Sequence, residues 1–140
     1  MGLTLLDASI VSAFLDRSDA LHQVAADSVA AELDGRRSIA LSAVTWAEVL
    51  SGVKRLRGPV FDAQRFLERG AIPIVPVDRA VAEAAADLRV REARRQRRLR
   101  TPDALVLGTA ATHPEIDRVL TADAQWRRVR LPGVRIVTAG

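Results

Sequence analysis

The sequence predicts an α/β fold in which a mainly parallel sheet of four to five strands lies between two layers of helices. Short apolar segments alternate along the chain with longer segments whose apolar residues recur at helical spacing. Strands that alternate with helices form parallel sheets covered on both faces, so this order predicts a three-layer α/β/α architecture. The length of 140 residues suits one domain, to which we assign residues 1–140.

The first half of the chain predicts two strands and four helices. The strands cover residues 3–6 and 38–41, and the helices cover 10–15, 20–34, 43–55 and 60–69. Ser42 is expected to cap the third helix, because serine accepts hydrogen bonds from the free N–H groups at a helix start. Asp34-Gly35 and Gly58-Pro59 are dipeptides at which we expect the second and third helices to end.

The second half predicts three more strands. They cover 72–77, 118–121 and 134–137, and the two prolines of the first indicate a sheet edge. Asp78 is expected to cap a helix with Val81, Ala85 and Leu88 facing inward, which continues into an arginine-rich segment and stops before Thr101. Another helix, 103–112, is apolar nearly all round and therefore buried.

Composition excludes several kinds of site. The chain has no cysteine and two histidines, so a zinc site of the Cys/His kind cannot form and any metal is expected to bind to oxygen. The N-terminus lacks the features of a signal peptide, and no stretch reaches the roughly 18 apolar residues of a membrane helix. We therefore expect a cytoplasmic protein.

Positive charge is concentrated in one segment. Residues 89–100 carry seven arginines and one acid, Glu92, within a chain of net charge +4. Helical spacing would place four of the arginines on one face, namely Arg91, Arg94, Arg95 and Arg98. A solvated helix face is one interpretation; the other is a surface that binds the phosphate backbone of RNA, because few carboxylates relieve the repulsion between these side chains.

Three aspartates are candidates for a site at the carboxyl edge of the sheet. Asp7 and Asp123 each follow a predicted strand, where ligands bind in open α/β sheets. The alternative roles are a helix N-cap for Asp7 and a turn residue for Asp123. Asp103 follows Thr101, a possible N-cap, and Pro102, so it would lie in the first helical turn, where the helix dipole stabilises a carboxylate. The helix that it begins is predicted to be buried, however, and a buried carboxylate requires a counter-charge. Glu48 lies off the apolar stripe of its helix, so periodicity alone predicts an ordinary solvent-exposed glutamate.

Four segments together resemble the signature blocks of VapC-like PIN domains. They are Leu-Leu-Asp-Ala-Ser-Ile at 5–10, Ala-Val-Thr-Trp-Ala-Glu-Val-Leu-Ser-Gly at 43–52, Thr-Pro-Asp-Ala-Leu-Val-Leu-Gly-Thr-Ala at 101–110, and Val-Leu-Thr-Ala-Asp-Ala-Gln-Trp at 119–126. The resemblance implies an acidic cluster supported by the Ser9 hydroxyl and formed by Asp7, Glu48, Asp103 and Asp123. Many relatives carry a further aspartate where this chain has Gln125, so the far side of the site differs.

The resemblance also implies an activity and partners. It implies a toxin of a VapBC type II toxin–antitoxin system, an endoribonuclease that is typically a homodimer silenced by a VapB-like antitoxin. Carboxylates and water suit Mg²⁺, with Mn²⁺ as the alternative, and the ion would activate water for attack on an RNA phosphodiester. In this interpretation Asp7 and Asp103 are the main ligands.

Other α/β functions fit the sequence less well. A phosphoryl-accepting receiver domain needs a lysine near its end, and the only lysine is Lys54. A phosphatase of the Asp-x-Asp type needs an acid at Ser9, and a nucleotide enzyme needs a glycine-rich phosphate loop that the chain lacks. A catalytically inactive PIN-like RNA-binding or regulatory module is the alternative from another functional class, and retention of all four acids argues against it.

Overall fold

The computed structural model describes residues 2–139, with a five-stranded sheet at its centre. The strands are β1 (Leu3–Leu6), β2 (Ser38–Ser42), β3 (Ile74–Val75), β4 (Ile116–Thr121) and β5 (Arg135–Thr138). The α-helices are α1 (Ala8–Leu15), α2 (His22–Asp34), α3 (Ala43–Arg55), α4 (Val60–Arg69), α5 (Arg79–Arg94) and α6 (Thr101–Thr112). A short 3₁₀-helix, Ala124–Arg128, lies between β4 and β5. The two end residues of the predicted domain, Met1 and Gly140, lie outside the described residues.

The sheet has the strand order β3-β2-β1-β4-β5, and every neighbouring pair is parallel. Leu5 packs into the core on the side of α5 and α6, whereas Leu6 packs into the core on the side of α1 and α2. Successive side chains of a strand point to opposite faces, so the sheet is covered on both sides. The predicted three-layer α/β/α fold is confirmed.

The chain changes direction across the sheet at β1. After β1 it builds β2 and β3 on one side, and it then crosses to β4 and β5 on the other side. The crevice between the carboxyl ends of β1 and β4 is therefore the topological switch point, which is the usual ligand site of an open parallel sheet.

Several predicted helix starts and packing faces are confirmed. The Ser42 hydroxyl accepts from the N–H of Val44 at 3.2 Å, and the Asp78 carboxylate accepts from the N–H of Val81 at 3.0 Å. Helices α5 and α6 pack closely at Gly108, where an added Cβ would lie 2.9 Å from the carbonyl oxygen of Val81. This contact explains why α6 is buried along most of its length, as its apolar sequence predicts.

Two predicted boundaries are wrong. The strand predicted over 72–77 is confined to Ile74–Val75, because the flanking prolines cannot donate to a ladder, and it is indeed an edge strand. Helix α6 begins at Thr101 with Arg100 at the N-cap position, so Thr101 is not the cap.

The predicted arginine stripe on one helix face is also wrong. Helix α5 ends at Arg94, Arg95 is its C-cap residue, and Gln96 has a φ of 59°. This left-handed residue reverses the chain direction, as glycine commonly does at helix ends. Arg91 and Arg94 are therefore helical, whereas Arg98 lies in the segment that leads to α6.

No helix in residues 2–139 is both long and apolar enough to span a membrane.

Candidate active site

Asp7 lies at the switch point of the sheet, and the residue is 7% exposed. Its backbone N–H donates to the carbonyl oxygen of Leu120 in β4 at 2.9 Å, which joins the ends of the two strands. Asp7 occupies the N-cap position of α1, but its side chain makes no capping hydrogen bond. The helix-cap role that the sequence leaves open therefore does not account for this carboxylate.

Two hydroxyl groups hold one oxygen of the Asp7 carboxylate. Ser9 Oγ donates to Oδ2 at 2.8 Å, and Thr121 Oγ1 donates to the same atom at 2.9 Å. Within residues 2–139 no hydrogen bond is made to the other oxygen, Oδ1. The carboxylate is thus oriented through one oxygen, while the other remains available to a ligand.

Backbone groups fix the direction in which each hydroxyl donates. Ser9 Oγ accepts from the N–H of Ala122 at 3.0 Å, and Thr121 Oγ1 accepts from the N–H of Asp123 at 3.1 Å. Since each hydroxyl accepts from the backbone, its single proton is free to point at Asp7. The exit of β4 is in this way tied to the carboxylate at the end of β1.

Thr121 is the residue of this network that sequence reasoning missed. It is fully buried at the last position of β4. A threonine at the end of a strand is common for reasons of strand propensity alone, so its type and position carry no functional signal. Its position inside the segment that resembles PIN domains, two residues before Asp123, is the one signal that could have identified it.

Asp103 lies in the first turn of α6 and is partly buried. Burial raises the pKa of its carboxyl group above the usual range, and the negative charge of Asp7 and, more weakly, that of Asp123 raise it further. Arg100, at the N-cap of the same helix, opposes this shift. Asp103 is therefore electrostatically coupled to both aspartates that follow strands.

Glu48 joins the same group of charges from α3. Burial raises the pKa of its carboxyl group, and the charges of Asp7 and Asp103 add to the shift. The residue as a whole is exposed, as its position off the apolar stripe predicts. Periodicity thus describes the exposure of Glu48 correctly but does not reveal that its carboxyl group lies near two other acids.

Asp123 has a structural role as well as an electrostatic one. Its Oδ1 accepts from the N–H of Gln125 at 2.9 Å, which caps the 3₁₀-helix that follows β4. The turn-residue interpretation of Asp123 is therefore correct in part. Its charge nevertheless acts on Asp103, which in turn is coupled to Glu48, so the four predicted acids are linked through Asp103.

The donor set of this edge fits a hard divalent cation. Besides burial, the groups that raise the pKa values of Glu48 and Asp103 are carboxylates, and among residues 2–139 the opposing charge is that of Arg100. In the described part of the chain, no three acidic, histidine or cysteine side chains lie close enough together to enclose an ion unaided. Mg²⁺ is usually bound by one or two carboxylates and keeps several waters, so the carboxylates present suit it.

Comparison with known proteins identifies the family. The PIN-domain family profile matches residues 4–131, which is most of the chain. The protein therefore belongs to the PIN-domain family. A search of curated protein sequences gives no match.

Solved structures with the same fold include proteins of toxin–antitoxin systems. VapBC-5 from Mycobacterium tuberculosis is 26% identical with a TM-score of 0.64, over 99% of this chain and 100% of that one. A toxin–antitoxin complex from Klebsiella pneumoniae is 25% identical with a TM-score of 0.66, over 96% of each chain. VapC20 from M. tuberculosis, described as a Sarcin-Ricin loop cleaving toxin, is 19% identical with a TM-score of 0.74, over 94% of this chain and 98% of that one. The chain thus spans nearly the whole length of these structures.

Proposed function

We propose that this protein is a Mg²⁺-dependent endoribonuclease that acts as the toxin of a type II toxin–antitoxin system. The observation that carries the proposal is the Asp7 carboxylate, held through Oδ2 by Ser9 and Thr121 at the switch point of the sheet. Glu48 and Asp103 share its electrostatic environment. Carboxylates that repel one another at a ligand-binding edge are stabilised by a divalent cation.

The residues divide into ligands and proton carriers. Asp7, through Oδ1, and Asp103 would hold Mg²⁺ directly, while Glu48 and Asp123 would bind its water molecules. The ion supplies an activated water and offsets negative charge on the phosphate. Glu48 accepts the proton of the attacking water, for which a carboxylate with a raised pKa is well suited. The water oxygen would form a bond to phosphorus as the bond to the leaving ribose oxygen breaks, the leaving oxygen would take a proton from solvent water, and Glu48 would return its proton to solvent.

The comparisons support RNA as the substrate and an antitoxin as the partner. The M. tuberculosis structure VapC20 is described as a toxin that cleaves the Sarcin-Ricin loop, and the K. pneumoniae neighbour is a toxin–antitoxin complex. By this analogy we propose a VapB-like antitoxin as the partner of this chain and a homodimer as its assembly. Light scattering of the purified chain tests the homodimer, which a monomeric mass would contradict.

A groove on the side of α1 and α2 is a candidate surface for such a partner. It has a volume of about 930 Å³ and lies between α1, α2, β2 and α4. Its floor includes Phe14, Leu15 and Phe66, and its rim carries the exposed Arg17 and Arg69. An apolar floor with a basic rim fits an amphipathic segment with acidic residues.

A cleavage assay tests the activity. A mixed RNA pool is incubated with wild type, Asp7→Ala or Asp103→Ala, with and without Mg²⁺ or Mn²⁺, and the products are resolved on a denaturing gel. Asp87→Ala is the matched control, because Asp87 is an exposed aspartate of α5. We expect metal-dependent cleavage by wild type and Asp87→Ala, and a loss of at least about 100-fold in the other two variants.

The alternative function predicts a different result. An inactive PIN-like RNA-binding module would bind the pool but cleave it with neither metal. Cleavage that persists in chelator, or in Asp7→Ala, would contradict the proposed mechanism.

A further inference from the structure

Two arginine-rich segments that are far apart in the chain meet on one side of the molecule. Arg91 Nη2 donates to the carbonyl oxygen of Arg130 at 2.6 Å, and Arg97 Nη1 donates to that of Arg128 at 2.6 Å. These two bonds fix the turn after α5 against the segment that precedes β5. Arg91 and Arg97 therefore have a structural role at this junction, whereas the remaining arginines of the two segments are exposed to solvent.

A buried glutamate holds this junction together. Glu92 is 1% exposed, and its two carboxylate oxygens lie 3.5 Å from Arg91 Nη2 and from Arg97 Nη1. Its backbone carbonyl also accepts from the N–H of Arg97 at 2.9 Å. Glu92 Oε2 forms no hydrogen bond within the described residues, so its contact with Arg97 is an ion pair, and we expect the buried charge to orient both guanidinium groups.

The exposed arginines around this junction form what we call the arginine surface, which consists of Arg94, Arg95, Arg98, Arg127, Arg128 and Arg130. Trp126, Val129 and Leu131 are buried in the core beside α5 and α6, so the arginines between them point outward. In the described residues no member of the arginine surface forms an ion pair. Six unneutralised guanidinium groups on adjoining segments repel one another, and a polyanion would remove this repulsion.

We propose that the arginine surface is a binding site for the sugar-phosphate backbone of single-stranded RNA, and that Glu92 is its positioning residue. The proposal rests on the proposed ribonuclease function, because the ligand it names is the substrate of that reaction. Guanidinium groups bind phosphate oxygens in a bidentate manner, which gives affinity without reading the sequence.

The arginine surface adjoins the candidate active site along the chain at both of its segments. Arg98 lies five residues before Asp103, and Arg127 lies at the other end of the 3₁₀-helix that Asp123 caps. A strand held by these arginines is thus led towards the carboxylates, which would otherwise repel its phosphates.

RNA binding in EDTA tests the proposal without any cleavage. A fluorescein-labelled single-stranded RNA of about 20 nucleotides is titrated by anisotropy at several salt concentrations, beside a DNA strand of the same sequence. We expect Arg94→Gln/Arg95→Gln and Arg128→Gln/Arg130→Gln each to weaken RNA binding on the order of tenfold. The slope of log K against log salt should fall by about 1.4, for two lost phosphate contacts.

The control double variant is Arg55→Gln/Arg57→Gln, which removes two exposed arginines at and just after the end of α3. It should leave the affinity and the salt slope nearly unchanged. The proposal is overturned if the control weakens binding as much as the other pairs, or if those pairs bind RNA as wild type does. A loss confined to the DNA probe would also overturn it.

Glu92→Gln separates positioning from charge. Removal of a negative charge should strengthen RNA binding if electrostatics alone decides, whereas loss of the positioning carboxylate should weaken it several-fold. Arg97→Lys, which keeps the charge but not the planar donor, should weaken binding in the same direction. Unchanged or tighter binding in both folded variants would contradict the role of Glu92. Because these experiments need no catalysis, an inactive enzyme that still binds RNA through these arginines would refute the ribonuclease proposal alone.

Discussion

The strands β1 and β4 carry a charged cluster at each end, and the two clusters are built in opposite ways. Near the amino ends, Glu32 is 5% exposed and accepts from the Thr4 hydroxyl at 2.8 Å. Arg118 donates to both of its oxygens at 3.1 and 3.2 Å, and Arg37 Nε lies 3.2 Å from one of them. Two guanidinium groups therefore neutralise this buried carboxylate.

At the carboxyl ends of the same strands, carboxylates accumulate without such neutralisation. Asp7 is held by hydroxyl groups, and the pKa values of Glu48 and Asp103 are raised in part by neighbouring acids. In the part of the chain that the structure describes, Arg100 is the one cation that opposes these shifts. The first cluster is neutralised within the chain and is structural, whereas the second is suited to a cation that the described residues do not supply.

The largest effect on folding is expected at the neutralised cluster. Glu32→Gln leaves Arg37 and Arg118 without their shared counter-charge, so we expect a loss of about 3 kcal/mol in the free energy of unfolding. Urea unfolding measures it. The control is Glu83→Gln, which breaks an exposed i,i+4 pair with Arg79 and should cost less than about 0.5 kcal/mol. Equal losses in the two variants would mean that the Glu32 cluster is not structural.

A smaller effect on folding, but a clear effect on activity, is expected at Thr121. Thr121→Val removes a donor to Asp7 and an acceptor for the N–H of Asp123, so the carboxylate is held less firmly. We expect RNA cleavage to fall by about 10- to 100-fold with a loss of about 1–2 kcal/mol in stability.

Thr112→Val serves as the matched control for Thr121. The Thr112 hydroxyl binds carbonyl oxygens of its own helix, at Gly108 and Thr109, so its loss should leave cleavage unchanged. Equal activity of Thr121→Val and Thr112→Val would show that the hydroxyl network has no part in the reaction.

The smallest effect, and one of opposite sign, is expected at Asp103. Its raised pKa means that the folded protein binds this proton more tightly than the unfolded chain, so ionisation of Asp103 costs stability at neutral pH. Asp103→Asn should therefore raise the melting temperature of the metal-free protein at pH 7 by about 1–3 °C, since solvent screens a partly exposed group. The difference should disappear as the pH falls below the ordinary carboxyl pKa of 3.8. A lower melting temperature at pH 7 would contradict the repulsion.

The sequence predicted those features that depend on local periodicity. The predicted strand ends placed Asp7 and Asp123 at one edge of the sheet. The helix signals placed Asp103 in the first turn of α6, although the helix begins one residue earlier than the predicted cap at Thr101 implies. Glu48 could not be selected in this way, because a helical wheel reports exposure and not which acids lie across the crevice. Only the resemblance to PIN domains supplied it.

The arginine stripe failed for a local reason. The i, i+3, i+4, i+7 spacing continues past Arg94, but the helix ends there because Gln96 adopts a left-handed conformation that its residue type does not signal. The prediction that positive charge is concentrated in this segment is correct, since Arg94, Arg95 and Arg98 are exposed. The arrangement of this charge depends on Glu92 and on carbonyl groups more than 30 residues away, which no local pattern contains.

Direct measurement of metal binding tests whether the unneutralised carboxylates form a cation site. Calorimetry at neutral pH with Mn²⁺ or Mg²⁺ should show saturable binding to wild type and to Asp87→Ala, and binding at least about tenfold weaker in Asp7→Asn and in Asp103→Asn. Equal affinity in all four proteins, or no binding to wild type at millimolar metal, would contradict the assignment of these carboxylates as the metal site.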